Sequence, residues 1–250
     1  MRSGILATII CLAAATSAAA QTSSGDHLSA MQTAMACAPP TAAAEPSDDS
    51  LRVVGSQSPQ PRLLFDKSDL LVVNGGTARH VAPGQEYYVR GVRKYAGVTG
   101  GLSRALRTDA WIKIVSVDDA TALASVTFAC GAIYPDDYLE PFVAPEPPPN
   151  ADSVDTSGDL DFTAPASVTY ANDERQTAGV GDFVLIDQTA EHPAASGARV
   201  AFYRDPHQAG VPLLPLGEGV VVSVGPSTAL VRVNQARTAI ENGDYAVRRK

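Results

Sequence analysis

The sequence predicts an all-β protein. It reads as two tandem small antiparallel β-barrel modules with a disordered N-terminal arm and a Pro/Asp-rich linker. Three observations lead there. A block of strand-sized apolar runs occurs twice in one register, strong helix patterns are absent after residue 50, and a proline cluster separates the two blocks.

The repeat is the most informative feature. Asp69-Leu70-Leu71-Val72-Val73-Asn74 corresponds to Asp182-Phe183-Val184-Leu185-Ile186-Asp187, and at the same offset Gly84 falls on Gly197. After a shortened loop, Ser116-Val117 falls on Ser223-Val224 and Thr121-Ala122-Leu123 on Thr228-Ala229-Leu230. The register then holds through Val126/Val233, Ala129/Ala236, Ile133/Ile240 and Asp137-Tyr138/Asp244-Tyr245. Two unrelated β-rich stretches rarely share a register across two strands and a turn, so the duplication is taken as real.

Each copy divides into short strands between turn signals. In the first, residues 52–54, 63–65, 69–73, 86–90, 111–117, 121–128 and 138–140 carry β-branched or aromatic residues with partial alternation. In the second, the matching runs are 167–170, 182–186, 199–203, 219–224, 229–234 and 245–248. Asn74-Gly75-Gly76 supplies a turn, while Asp118-Asp119 and Gly225-Pro226-Ser227 each join two strand patterns as a hairpin. About six short strands per copy suit a small barrel, which removes its own edges.

Composition and flanks set the remaining boundaries. The chain has 250 residues, 45% hydrophobic and 18% charged, with a formal net charge of −8. That is enough apolar residue for a core and too acidic for a whole-chain nucleic-acid binder. Residues 1–20 read as a cleavable signal peptide: Arg2, an apolar run from Gly4 to Ala15, then Ala18-Ala19-Ala20 before Gln21. The expected location is periplasmic or secreted, with no membrane span after cleavage. Residues 21–50 form a flexible arm with room for one short helix at 27–36, where Met31 and Met35 fall at i, i+4. Module 1 covers 51–142, the linker 143–165 and module 2 166–250. The linker carries Pro145, Pro147, Pro148 and Pro149, then Asp152, Asp155, Asp159 and Asp161, and reads as solvated. Loss of the signal peptide leaves Cys37 and Cys130 in an oxidising compartment. One disulfide is the simplest outcome, and two unpaired buried thiols are the alternative.

The order of turns carries a resemblance. A strand ends in Asn74-Gly75-Gly76, a turn leads to Pro83-Gly84, the strand Tyr87-Tyr88-Val89-Arg90 follows, and a late hairpin closes at Asp136-Asp137-Tyr138-Leu139. This resembles the modules at the C-terminus of the flagellar T-ring assembly protein, and modules that accompany LysM peptidoglycan-binding domains in exported bacterial proteins. The second copy fits with Gly181-Asp182, Gly197 and Gly243-Asp244, whereas the first departs at Ser68-Asp69 and Asp136-Asp137. The resemblance covers about residues 63–142 and 178–248. It implies a β fold and a place in the envelope, with peptidoglycan or an envelope protein as partner, and names no catalytic group.

No catalytic or metal-binding pattern stands out. There is no G-x-S-x-G elbow, zinc-ligand spacing or phosphate-cradling glycine loop. Of the four histidines, His27, His80, His192 and His207, His27 lies in the arm, and His80 and His192 fall in nearly the same turn of the two copies, which favours a structural or exposed turn role. Asp118-Asp119 and Asp136-Asp137 are adjacent pairs, which point to opposite faces of a strand and suit turns better than a shared substrate. The linker acids are too irregular for a calcium loop. The expectation is a non-enzyme without cofactor or metal.

Binding fits better. The stretch 90–107 is basic within an acidic chain, and Arg90, Arg93, Lys94, Tyr95, Arg104 and Arg107 are the candidate contacts. Its length and glycines point to a mobile loop between strands that could take an acidic glycan, a peptidoglycan peptide or an acidic protein. A merely solubilising loop is the competing reading. Trp111 is expected in the core, and Arg248-Arg249-Lys250 as a frayed end. Two alternatives stay open. A row of Trp111, Tyr95 and Tyr134 would mark a carbohydrate-binding module, and convergent carboxylates or a histidine between the modules would mark an enzyme.

Overall fold

The computed structural model describes residues 28–41, 46–58, 60, 62–96, 102–171, 177–188 and 193–250. The predicted signal peptide, residues 1–20, together with His27, His192 and the segment 97–101, lies outside the described residues. Among those described, one α-helix, α1 (Ala30–Cys37), precedes a chain of strands. The first sheet uses β1 (Val53–Ser56), β2 (Leu70–Val73), β3 (Glu86–Ala96), β4 (Leu102–Val117), β5 (Ala122–Ala129) and β6 (Tyr138–Pro141). The second half contains β7 (Leu160–Ala171), β8 (Thr177–Ala178), β9 (Phe183–Asp187), β10 (Arg199–Arg204), β11 (Leu214–Val224), β12 (Thr228–Ala236), β13 (Ile240–Glu241) and β14 (Tyr245–Arg249).

Both sheets have one topology. The first runs β1-β2-β5-β4-β3-β6, and the closed barrel runs β7-β9-β12-β11-β10-β14, with every pairing antiparallel. In the first copy the outer edges meet at an isolated bridge between Arg52 and Tyr138, where Val53 N donates to Asp137 O at 2.9 Å, Asp136 N to Val53 O at 2.8 Å and Leu139 N to Leu51 O at 2.8 Å. That copy is therefore a curled sheet stitched along a short seam, and the second is a closed barrel. The repeat extends to small details: the bridge between Phe65 and Ile133 matches the β8–β13 pair at Ala178 and Ile240. The β4–β5 and β11–β12 ladders slip at the same two places, Trp111/Ile112 and Ile114/Ser116 in the first copy and Glu218/Gly219 and Val221/Ser223 in the second.

Alternation decides which side chains enter the barrels. Along β5, Ala122, Ala124 and Val126 are buried while Leu123 and Ser125 are half-buried. The first core gathers Val53, Leu71, Val89, Ile112, Ile114 and Ile133, and the second Val184, Phe202, Leu216, Val221, Val231 and Ile240. The turns also match. Gly84 and Gly197 adopt φ of +87° and +82°, and their N–H groups donate to Ile114 O and Val221 O at 2.8 Å. Where the second copy has Gly243 at φ +91°, the first places Asp136 at +71°, which Asp tolerates better than most residues. The adjacent acids behave as turn chemistry: the Asp137 carboxylate accepts Tyr134 N at 2.7 Å, as Asp244 accepts Glu241 N at 2.6 Å.

The arm departs from its expected flexibility over 28–41. Ser29 caps α1 through a reciprocal pair with Gln32, and Pro39-Pro40 follow its end. One part of the helix packs Ala36 and Cys37 on Tyr88, Trp111 and Phe142 of the first copy. Another packs Met35 and Ala38 on Phe183, Val222 and Leu230 of the second. These partners lie outside the barrel cores, so the arm covers apolar surface that the strand alternation leaves outward. The Cys37–Cys130 disulfide, with Cα atoms 5.4 Å apart, ties it down.

The linker and tail also differ from expectation. β7 starts at Leu160, inside the predicted linker, and Asn234 Nδ2 donates to Ala151 O and Ser153 O, strapping the linker to the second barrel. Arg199 pairs with Asp155, and Arg232 with Asp152. The terminus is not frayed: Arg249 pairs with Glu218, Lys250 N donates to Asp159 O, and Lys250 Nζ lies 3.0 Å from Asp161. Closing a barrel requires β14 to seat against β7, and these bonds finish that seam.

Candidate functional site

The candidate site is an open groove of about 680 Å³ on the first copy, where β3 leaves β6. Its walls include Arg90 and Val92 of β3, Arg107 of β4, Arg52 ahead of β1, and the turn from Tyr134 to Tyr138. The ladder from β3 to β6 ends at the Arg90/Tyr138 pair, and the turn then diverges, leaving room beside β3.

Arg90 is an anchor at the base of this groove rather than a free contact. It is buried, and its Nε donates to Glu140 Oε2 at 2.8 Å. Its Nη1 donates to Thr108 Oγ1, while the guanidinium sits 4.1 Å from the centroid of the Tyr88 ring. Burial pushes the Tyr88 phenol up to about 12, so its hydroxyl stays protonated and donates to Val143 O at 2.7 Å. Arg107 is held in the same manner, with Nη2 2.7 Å from Oδ1 of the fully buried Asp109. Arg52 donates through Nη1 to Asp136 O at 2.9 Å and through Nη2 to Ser47 O at 3.3 Å.

The predicted loop 90–107 is mostly a hairpin ladder. β3 and β4 pair from Arg90/Thr108 out to Ala96/Leu102, because Val92, Tyr95 and Leu106 are residue types that suit strands and Gly97, Gly100 and Gly101 gather between the two strands in sequence. The register sets Arg93 opposite Ala105, Lys94 opposite Arg104 and Tyr95 opposite Ser103. The side chains of Arg93, Lys94, Tyr95 and Arg104 lie outside the described residues. Of the six predicted contacts, the structure thus brings Arg90 and Arg107 together at the groove and places the other four along the ribbon above it.

Sequence reasoning missed Arg52 and Asp109. Arg52 sits ahead of a short strand, and Asp109 interrupts an otherwise apolar strand pattern. A carboxylate inside such a pattern is a readable sign of a buried ion pair. Trp111 is buried, only 1% exposed, beneath the arm rather than inside the barrel, and stacks on Phe128 with ring centroids 4.7 Å apart, so it does not join Tyr134 in a surface row. A second cavity of about 250 Å³ lies between the copies, and its one carboxylate, Glu140, is held by Arg90. Among the described residues no group of three or more His, Cys, Asp or Glu could hold a metal ion. No described helix is long and apolar enough to cross a membrane. No family model matches the chain, and no curated protein matches its sequence.

Proposed function

We propose that the chain is a non-catalytic exported protein of the bacterial envelope that acts by binding or scaffolding, with the groove and cationic ribbon of the first copy as its contact site. The observation that carries this reading is the groove at the base of a hairpin whose 90–107 stretch holds five cations and no carboxylate, in a chain of net charge −8. The body around it is built to hold a fixed shape. A curled sheet, a closed barrel, a helix wedged against both and a disulfide form the body, and among the described residues the ribbon extends beyond the topology the two copies share. Rigid scaffolds that present one charged projection suit recognition, since little ordering entropy is lost on contact. A periplasmic or secreted location follows from the signal-like residues 1–20, and an envelope partner, whether peptidoglycan or protein, follows from the resemblance.

The test is capture. The chain from residue 21 onward is incubated with purified peptidoglycan and with envelope extract, beside a variant carrying Arg93→Ser, Lys94→Ser, Arg104→Ser and Arg107→Ser. Capture lost in the variant places function on the ribbon. Capture retained in the variant moves the site elsewhere on the barrels, and no capture by either protein removes the binding reading.

A further inference from the structure

The two copies differ most in one hairpin. In the second, β10 ends at Arg204, next to its last pair with β14 at Tyr203/Tyr245. In the first, β3 continues past the equivalent pair, Arg90/Tyr138, for the whole of 91–96, with β4 as its partner. The closed barrel shows that the topology does not need this extension.

We infer that the β3 edge at 91–96 accepts an extended acidic segment of a partner protein as an added strand, running into the groove beside Arg90. This rests on the binding reading above and names its partner and mode. Three observations support it. First, among the described residues no strand pairs with 91–96 on the β6 side, so every second backbone N–H and C=O there points outward from the ribbon. Second, the open groove begins where β6 turns away, which gives an incoming strand space in the direction β6 vacates. Third, Arg90 and Arg107 are tied to Glu140 and Asp109 at the base, and the ribbon beyond them carries Arg93, Lys94 and Arg104 with no carboxylate. The register places Lys94 directly opposite Arg104. Five cations and no carboxylate along 90–107 make an acidic segment the complementary partner in charge. Main-chain bonds would supply affinity and alternating acids the selectivity.

The test uses the chain from residue 21 onward and a short fluorescein-labelled peptide alternating Glu with Val and Thr. Four controls accompany it: the peptide N-methylated on alternate residues, the same peptide with Lys for Glu, a pelleting assay with purified peptidoglycan, and a salt series. Two variants report on the edge. One shortens the ribbon to the β10–β11 length, and the other carries Lys94→Pro, with circular dichroism and Trp111 emission confirming that each folds. The expected result is binding of the Glu peptide that falls about tenfold or more in both variants, on N-methylation and with the Lys peptide. It should weaken with salt. Equal binding of the N-methylated peptide, whose charge is unchanged, overturns strand addition and leaves an electrostatic contact. Capture of peptidoglycan with no peptide binding also overturns it while the binding function stands. Neither peptide, wall nor extract binding removes both.

Discussion

Breaking the Cys37–Cys130 bond should free the N-terminal arm without unfolding the barrels. The perturbation is Cys37→Ser, or reduction of the native protein. The bonded residues are separated by 93 positions, but with the first barrel folded the segment set free is the stretch of about 15 residues between Cys37 and β1, for which the chain-entropy model gives about 3 kcal/mol. Among the described residues 28–41 belong to no strand ladder, so this loss falls on the docking of the arm and not on a barrel seam. At 1.4 kcal/mol per decade, the docked-to-free ratio drops by up to about two decades. The arm is then held by Met35, Ala36 and Ala38 against the two barrels and by bonds such as Gln32 Nε2 to Pro145 O. Thermolysin, which cuts beside Met and Ala, should cleave α1 at least about tenfold faster, because cleavage follows the population of the open form. The single Trp, Trp111, lies under Ala36 and Phe142, so its emission should shift to the red as the helix leaves. The β signal in circular dichroism should hold. Unchanged cleavage and emission in a sample whose two thiols react fully would refute the assignment of the arm as a disulfide-held wedge.

Other perturbations separate the two copies and the site. Phe202→Ala removes a fully buried ring from the second core and should cost that barrel about 3–5 kcal/mol. In urea, the dichroism transition should move earlier while the Trp111 transition stays in place, and coincident shifts would show the copies unfolding as one. Asp161 is held well below its ordinary value of 3.8, first by the Thr163 hydroxyl and then by the Lys250 ammonium. A depressed carboxylate stabilises above its unfolded value and loses that contribution as pH falls, so Asp161→Asn should flatten the acid-side decline in stability below about pH 4. Chemical denaturation across that range checks it, and parallel curves would exclude the interaction. Gly131→Ala would set a methyl 2.3 Å from Arg107 Nη2 and force the guanidinium off Asp109. The outcome is weaker capture in the pulldown proposed above, with a stability loss of about 1–3 kcal/mol read by urea melts. Arg90→Ala is a stability probe: it strands Glu140 and Thr108, and should lower the urea midpoint of the first copy.

Much of the fold was legible because barrels repeat a local rule. Val, Ile and Leu at alternate positions mark strands, Asp118-Asp119 and Gly225-Pro226-Ser227 mark hairpins, and one register linked the two copies. Each is a property of neighbouring residues, and each is present in the sheets. The arm, the linker and the tail were less legible. Ala30–Cys37 is too weakly patterned to fold by itself, and it becomes a helix against Tyr88 and Phe183, which lie far away in sequence. The acidic linker is fixed by Arg199, Asn234 and Arg232, and the basic tail by Glu218 and Asp161. Such segments look solvated whenever their partners are distant.

The candidate site divides along the same line. The sequence alone determined that positive charge gathers at 90–107 and that Cys37 and Cys130 could pair, since charge and residue type need no fold to be counted. Only the tertiary structure decided that Arg90 and Arg107 are tied down by Glu140 and Asp109, while Arg93, Lys94 and Arg104 ride on a ribbon. It also decided that a groove opens where β6 parts from β3. The physical reason is that ion pairing and strand edges depend on which segments become neighbours. Strand order sets that adjacency, and it joins residues 90 and 140 because β3 and β6 pair directly although β4 and β5 lie between them in sequence.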